Sequence, residues 1–418
     1  SFLTANYLLS ALASEPEMNV YVVDIKTSYV MIAKTLAFKN DSYDVINPPN
    51  KFPNIFLGDI ADPERLSLIV SILKNAIILC DPTVRITLEH ETIISESIKS
   101  AYAHNKNLAS EHHKKYADKN NTQELYYQVP KLDDIVFNFS EMCTKLNYSQ
   151  EYAKYLQNKL LSFCSGGLYG NIFNQDATSN NEGDLKQINL YDLDGVLENK
   201  IIKTLATQIC ISDILRMIKH KKNIGKKSIF LIDEAGVLLE GNVENNELII
   251  FIINAWKTFR KLNTVCFGIT NSVDDYKEKL ACRAIWNISP HKMILKMTST
   301  DIEAARSTKP GENKPLFTGE METVVRSLGK IDGRYSQGYF HSDDLPSGTF
   351  NYVPTGFDYW LSVSKKEELR TCELVKNKKG SYWQAIKALA EFSPLGFSET
   401  RDGERFVRPI NNEELDKI

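Results

Sequence analysis

The chain has 418 residues, a quarter of them charged, and a formal net charge of only −3. That length suggests two or three domains or one large core with insertions, and the near balance of charge excludes a protein held on nucleic acid mainly by its own positive field, a local basic channel aside. Seven cysteines (80, 143, 164, 210, 266, 282 and 372) form no CxxC pair, which argues for reduced thiols in the cytoplasm and against structural zinc or a disulfide frame.

The histidines give no metal spacing, and the adjacent His112-His113 reads as a solvated pair on a polar helix. No apolar run reaches the ~18 residues that a membrane-spanning helix needs. The first residues lack the charged start and cleavage site of a signal peptide.

In chain order, SFLTANYLLSAL (1–12) carries apolar residues at a helical period. An amphipathic helix that opens without a cap or a starting methionine reads as a piece of a longer protein. A strand is expected at 20–23, ending in Asp24, then a helix near 27–37 and a loop marked by Pro48, Pro49 and Pro53. Residues 62–165 are nearly all helical in period, with polar faces, and predict a helical insertion that contributes no central strand. Strand and helix alternate again from 187: QINLYDL, a helix at 201–219, SIFLID (228–233), a helix at 247–262 and TVCFGIT (264–270). That alternation predicts βαβ units and a parallel sheet. Residues 345–418 read as aromatic loops with one clear helix at 381–392.

The run Ile229-Phe230-Leu231-Ile232 has the β-branched content of a strand buried on both faces. It ends in Asp233-Glu234, so two carboxylates fall at the carboxyl rim of the sheet, where open α/β folds bind ligands. SIFLIDEAG matches the Walker B pattern of phosphate-loop ATPases: Asp233 would hold Mg²⁺ between nucleotide phosphates, and Glu234 would polarise the attacking water. Read blandly, the same residues are a strand ending in two surface carboxylates.

The companion motif GxxxxGK[ST] is absent. GKKS (225–228) precedes a strand instead of following one, so its backbone cannot open a helix around phosphate; SGGLYG (165–170) has no lysine. Ser1 is the better candidate. After an upstream glycine-rich loop it would supply the Mg²⁺-binding hydroxyl, beside the carboxyl end of the 229–232 strand; otherwise it is an ordinary N-cap.

The order of these segments resembles the C-terminal ATPase domain of the conjugative-transfer and type IV secretion ATPases, the TraC-like and DotO/IcmB-like proteins. The resemblance runs through VYVVDIKTSYVMIAK, INPPNKFPNIFLGDI, IFLIDEAGVLL, WKTFRKLNTVCFGITNSVDDY, RAIWNISPHKMILK, GEMETVVRSLG, FDYWLSVSKKEELR and ALAEFSPLGF. It implies an α/β, RecA-like P-loop NTPase core at 1–61 and 166–344, a helical insertion at 62–165 and a C-terminal helical extension at 345–418. It also implies an ATP- and Mg²⁺-dependent motor for substrate export or apparatus assembly. Such a motor would work as a hexamer, peripheral to the cytoplasmic face of the bacterial inner membrane, with other secretion-machine subunits and a second ATPase as partners. A hexameric DNA translocase, which makes nucleic acid a further partner, and a non-hydrolysing scaffold are the alternatives.

The family has Gln after Thr at the end of its fourth strand; here the pair is Thr270-Asn271, with a side chain one methylene shorter. Arg260, at the end of the preceding helix, either favours the helix C-terminus through the macrodipole or reaches a neighbouring subunit's nucleotide as an arginine finger. Arg283, Arg326 and Arg334 are rivals for that role. Lys26, just past Asp24, reads as a solvated helix-start lysine.

Overall fold

Strand β1 (Asn19–Asp24) is buried along its whole length, as is β4 (Ser228–Ile232), because each lies between two other strands. We describe a computed structural model, over residues 2–25, 28–36, 43–48, 50–116, 127–177, 185–239, 246–307, 315–331, 335–401 and 404–418.

The chain opens with α1 (Phe2–Ser14), β1, α2 (Val30–Leu36) and β2 (Tyr43–Ile46). A run of helices follows: α3 (Pro63–Cys80), α4 (Leu88–Tyr116), α5 (Leu132–Phe137), α6 (Phe139–Lys145) and α7 (Gln150–Leu160). No strand is described between 62 and 165. Next come β3 (Ile188–Asp192), α8 (Lys200–Lys219), β4, α9 (Ala235–Leu238), α10 (Asn246–Lys261) and β5 (Thr264–Gly268). The sheet order is β2-β3-β1-β4-β5, and β1 pairs in parallel with both β3 and β4, as β4 does with β5.

Alternation along β4 explains the layers. Ile229 and Leu231 join Val20, Val22, Ile188 and Leu190 in one apolar cluster with Ala5 and Leu8 of α1 and Ile32 and Ala33 of α2. Phe230 points the other way, against Trp256 and Phe259 of α10, with ring centroids 5.4 and 4.7 Å away. Helices therefore cover both faces, and the strands read as continuous apolar runs for that reason.

After β5 come α11 (Val273–Glu278), α12 (Leu280–Ile288), β6 (His291–Leu295), α13 (Ser299–Arg306), α14 (Gly319–Ser327), β7 (Lys330–Ile331), β8 (Tyr335–Ser342) and β9 (Gly348–Tyr352). Strands β6, β7 and β9 all pair antiparallel with β8, a second sheet that the sequence reading did not foresee. The last stretch holds α15 (Gly356–Leu361), α16 (Lys366–Lys379), α17 (Tyr382–Phe392), β10 (Ser398–Arg401), β11 (Glu404–Val407) and α18 (Asn412–Lys417). The expectation of a single helix there is corrected. The buried stripe of α16 is Glu368, Thr371, Cys372 and Val375, a helical period carried half by polar residues and so invisible to hydropathy.

Contacts divide the chain into two compact units: 1–45, 186–192 and 226–418 form one, and 46–185 with 193–225 form the other. The first contains β1, β3, β4, β5, the second sheet and the C-terminal helices. The second is helical, and the buried Arg65 of α3 ties it together through bonds to Ser212 of α8 (2.6 Å to Oγ) and to the carbonyls of Ile55 and Leu57.

Candidate nucleotide site

Three neighbouring parallel strands carry an aspartate at, or just past, their carboxyl ends. Asp192 and Asp24 are paired in register at the ends of β3 and β1, and the Asp233 N–H donates to the Val23 carbonyl at 2.9 Å. Their environments differ. Asp24 is buried, and its carboxylate accepts the Ile25 and Ser28 N–H groups, both at 2.7 Å, closing the turn after β1. Asp233 is half-buried; its Oδ1 accepts the Glu234 N–H at 3.0 Å and its Oδ2 the Tyr29 hydroxyl at 2.9 Å.

Glu234 has φ +53°, a left-handed backbone in a residue with a side chain, a conformation that costs on the order of 1 kcal/mol or more. Its surroundings enforce it. The Ala235 N–H donates to the Ile269 carbonyl at 2.7 Å, and the Asn271 side-chain amide donates to Glu234 Oε1 at 2.6 Å. The turn thus aims a half-buried carboxylate outward from the sheet rim beside Asp233.

Gly236 explains itself by proximity. A Cβ there would lie 1.9 Å from Asp275 Oδ2. Asp275 accepts the Thr270 hydroxyl and pairs with Lys279 at 2.7 Å, and Lys279 also donates to the Gly236 carbonyl at 2.6 Å. This knot holds the end of β5, and with it Asn271, against the start of α9.

The first turn of α1 reaches the same place. The Thr4 side chain lies beside the Tyr29 hydroxyl, the group that donates to Asp233. Ser1 itself lies outside the described residues, as do Lys26 and Arg334. Arg260 is exposed in the last turn of α10, with no ion pair among the described residues. Arg283 is half-buried in α12, and Arg326 is engaged with Glu322 at 3.0 Å. The lysines of GKKS sit at the amino end of β4, where Lys227 pairs with Glu15 and Lys226 lies 3.9 Å from Glu17. The structure therefore brings Asp233, Glu234 and Asn271 together and leaves Arg260 apart. Sequence reading missed Tyr29 and Asp275. An aromatic with a polar tip opening a buried helix, and a glycine straight after an acid pair, were the available signals.

Among the described residues no three His, Cys, Asp or Glu side chains are grouped to cage a metal. A Mg²⁺–nucleotide complex needs less: one or two carboxylates, with phosphate and water filling the other positions. Asp233 fits that requirement, since each of its oxygens accepts one described hydrogen bond and retains acceptor capacity.

No family model matches the chain. Protein TraC of Escherichia coli (strain K12) is 29% identical to it over 161 residues, a match spanning 37% of this chain and 17% of TraC. The structure of VirB4 of Thermoanaerobacter pseudethanolicus superposes with a TM-score of 0.57 at 12% identity, covering 88% of this chain and 87% of that one. The plasmid coupling protein TrwB, in complex with ADP and Mg²⁺, aligns at a TM-score of 0.43 and 11% identity over 85% and 86% of the two chains, too loosely to carry an argument. The chain is thus similar to TraC over a little more than a third of its length, and it shares the α/β, RecA-like P-loop fold of VirB4.

Proposed function

We propose that the chain is the ATP-hydrolysing motor core of a type IV secretion or conjugation system. The observation that carries this reading is the acid pair at the carboxyl end of β4, with Glu234 held in a left-handed turn and hydrogen-bonded by Asn271 from the end of β5. Bound Mg²⁺ would neutralise phosphate charge. Asp233 would hold it, with Ser1 as the second protein ligand at the start of α1. Glu234 is the acceptor that orients and deprotonates water, and Asn271 fixes its carboxylate.

Arg260 is offered as the residue that reaches a neighbouring subunit's nucleotide, which requires an oligomer, with a hexamer as the expected form. Other secretion-machine subunits and a second ATPase at the cytoplasmic face of the inner membrane are its proposed partners. Residues 1–61 and 166–344 would form the motor, 62–165 an insertion and 345–418 an extension.

The test is binding of a non-hydrolysable ATP analogue to the full-length oligomer, with and without Mg²⁺, together with turnover. Wild-type protein should bind with Mg²⁺ and hydrolyse ATP. Asp233→Asn should lose the Mg²⁺-dependent part of binding. Wild-type protein that neither binds nor hydrolyses would leave the acid pair structural and make the domain a scaffold.

A further inference from the structure

The carboxylate of Asp233 is held from two sides, and only one is local. The Glu234 N–H on Oδ1 comes from the next residue and would accompany any such turn. The Tyr29 hydroxyl on Oδ2 comes from a different strand–helix connection, at 2.9 Å. Tyr29 is 1% exposed and packs in the cluster between the sheet, α1 and α2. Its approach is fixed from behind, because Asp24 closes the preceding turn through the Ile25 and Ser28 N–H groups. Its hydroxyl also meets the Thr4 side chain of α1. One phenol therefore joins three elements: the first turn of α1, the turn after β1 and the acid pair after β4.

We propose that Tyr29 is a positioning residue that orients Asp233 toward a divalent cation and couples that orientation to the first turn of α1. This rests on the nucleotide-hydrolase reading above. A carboxylate at a strand end otherwise rotates freely about its last bond. With Oδ2 tied to a buried donor and Oδ1 to a backbone N–H, its remaining lone pairs point in fixed directions. A phenol, with an ordinary pKa of about 10, is protonated at neutral pH and so serves as the donor of that bond. Neither the phenol nor Thr4 need touch nucleotide. Their effect passes through the carboxylate.

The experiment uses the full-length oligomer and the Tyr29→Phe variant, which removes one oxygen and leaves the buried ring. The Mg²⁺ concentration for half-maximal binding of a fluorescent non-hydrolysable ATP analogue should rise about tenfold, as expected when a hydrogen-bond partner of a ligating carboxylate is lost. Binding of the same analogue in EDTA should not change. Replacing Mg²⁺ by Mn²⁺, which binds such sites more tightly, should recover part of the shift. Thr4→Val should move the Mg²⁺ midpoint in the same direction by a smaller factor. Thermal unfolding without ligand shows whether Tyr29→Phe is folded, and a melt far below wild type would transfer the test to Thr4→Val alone. An unchanged Mg²⁺ midpoint in the folded variants, with Asp233→Asn still abolishing Mg²⁺-dependent binding, overturns the role of Tyr29 and leaves the hydrolase reading standing. If Asp233→Asn also has no effect, both fall.

Discussion

Asn271 donates its side-chain amide to Glu234 across 2.6 Å, joining the end of β5 to the residue that follows β4. The amide thereby holds the carboxylate in one direction. Glu234→Gln keeps shape and hydrogen-bonding capacity but cannot accept a proton. Nucleotide binding should stay within a few-fold of wild type while turnover falls by about 10² or more, the loss typical of a general base. Single-turnover hydrolysis alongside equilibrium binding measures the two quantities separately; unchanged turnover would remove Glu234 from the chemistry.

Asn271→Ala should release that carboxylate without discharging it. Turnover is expected to fall by about tenfold, in line with one lost hydrogen bond to a charged group, with Mg²⁺-dependent binding intact. A fall in binding alone would assign Asn271 to the nucleotide instead.

Gly236→Ala places a methyl where Asp275 Oδ2 stands, 1.9 Å away. Asp275 can move only by giving up its bonds to Thr270 and Lys279. Chemical denaturation should show a loss of about 1–3 kcal/mol, the usual cost of overpacking. Turnover should fall with it, because the same knot carries Asn271.

Arg260→Ala should leave nucleotide binding unchanged and reduce turnover of the assembled protein by about 10³, the lower end for an arginine finger. Mixing Arg260→Ala subunits with Glu234→Gln subunits should restore part of the activity, since an intact arginine then faces an intact acid pair. No recovery in mixed oligomers would mean Arg260 does not act across subunits.

Lys34 of α2 pairs with Glu373 of α16 at 2.8 Å, and the Tyr382 hydroxyl donates to the same carboxylate. Burial alone would raise the Glu373 pKa, but the Lys34 and Tyr382 contacts outweigh it and leave it below the ordinary 4.5. A depressed carboxylate pKa gives stability that is present above the unfolded value and lost as pH falls through the folded one. The Glu373 side chain is 44% exposed, so the contribution is about 0.5 kcal/mol after screening. Urea midpoints of wild type and Glu373→Gln should therefore differ at about pH 7 and converge below about pH 4. A constant difference would assign the effect to packing.

The parallel sheet was legible because β1 and β4 are buried on both faces and so spell continuous apolar runs. Asp233 and Glu234 were legible because adjacency in sequence is adjacency at a strand end. Asn271 was reached only through resemblance, which gave its position but not its bond to Glu234. Tyr29 and Asp275 were hidden for another reason. Each meets its partner across a turn or between strands, a relation that no local period records. Helix α16 and strand β8 were missed because polar residues such as Glu368, Thr371 and Gln337 occupy places that hydrophobic patterning reserves for apolar ones.

Strand β1 carries a consequence for how the protein is made. Its two hydrogen-bonding neighbours are β3 and β4, which begin at Ile188 and Ser228, while β1 itself ends at Asp24. During synthesis this buried strand emerges before β3 and β4 and waits through the whole helical run before either neighbour exists. Such distant pairing is slow to form and leaves a sticky edge uncovered meanwhile. The helical unit, whose chain is complete at residue 225, has all of its own contacts available earlier. Pulse-labelled refolding should therefore protect amides of α3 and α8 before those of β1. Overproduction without chaperones should yield aggregates nucleated by the segment 19–24.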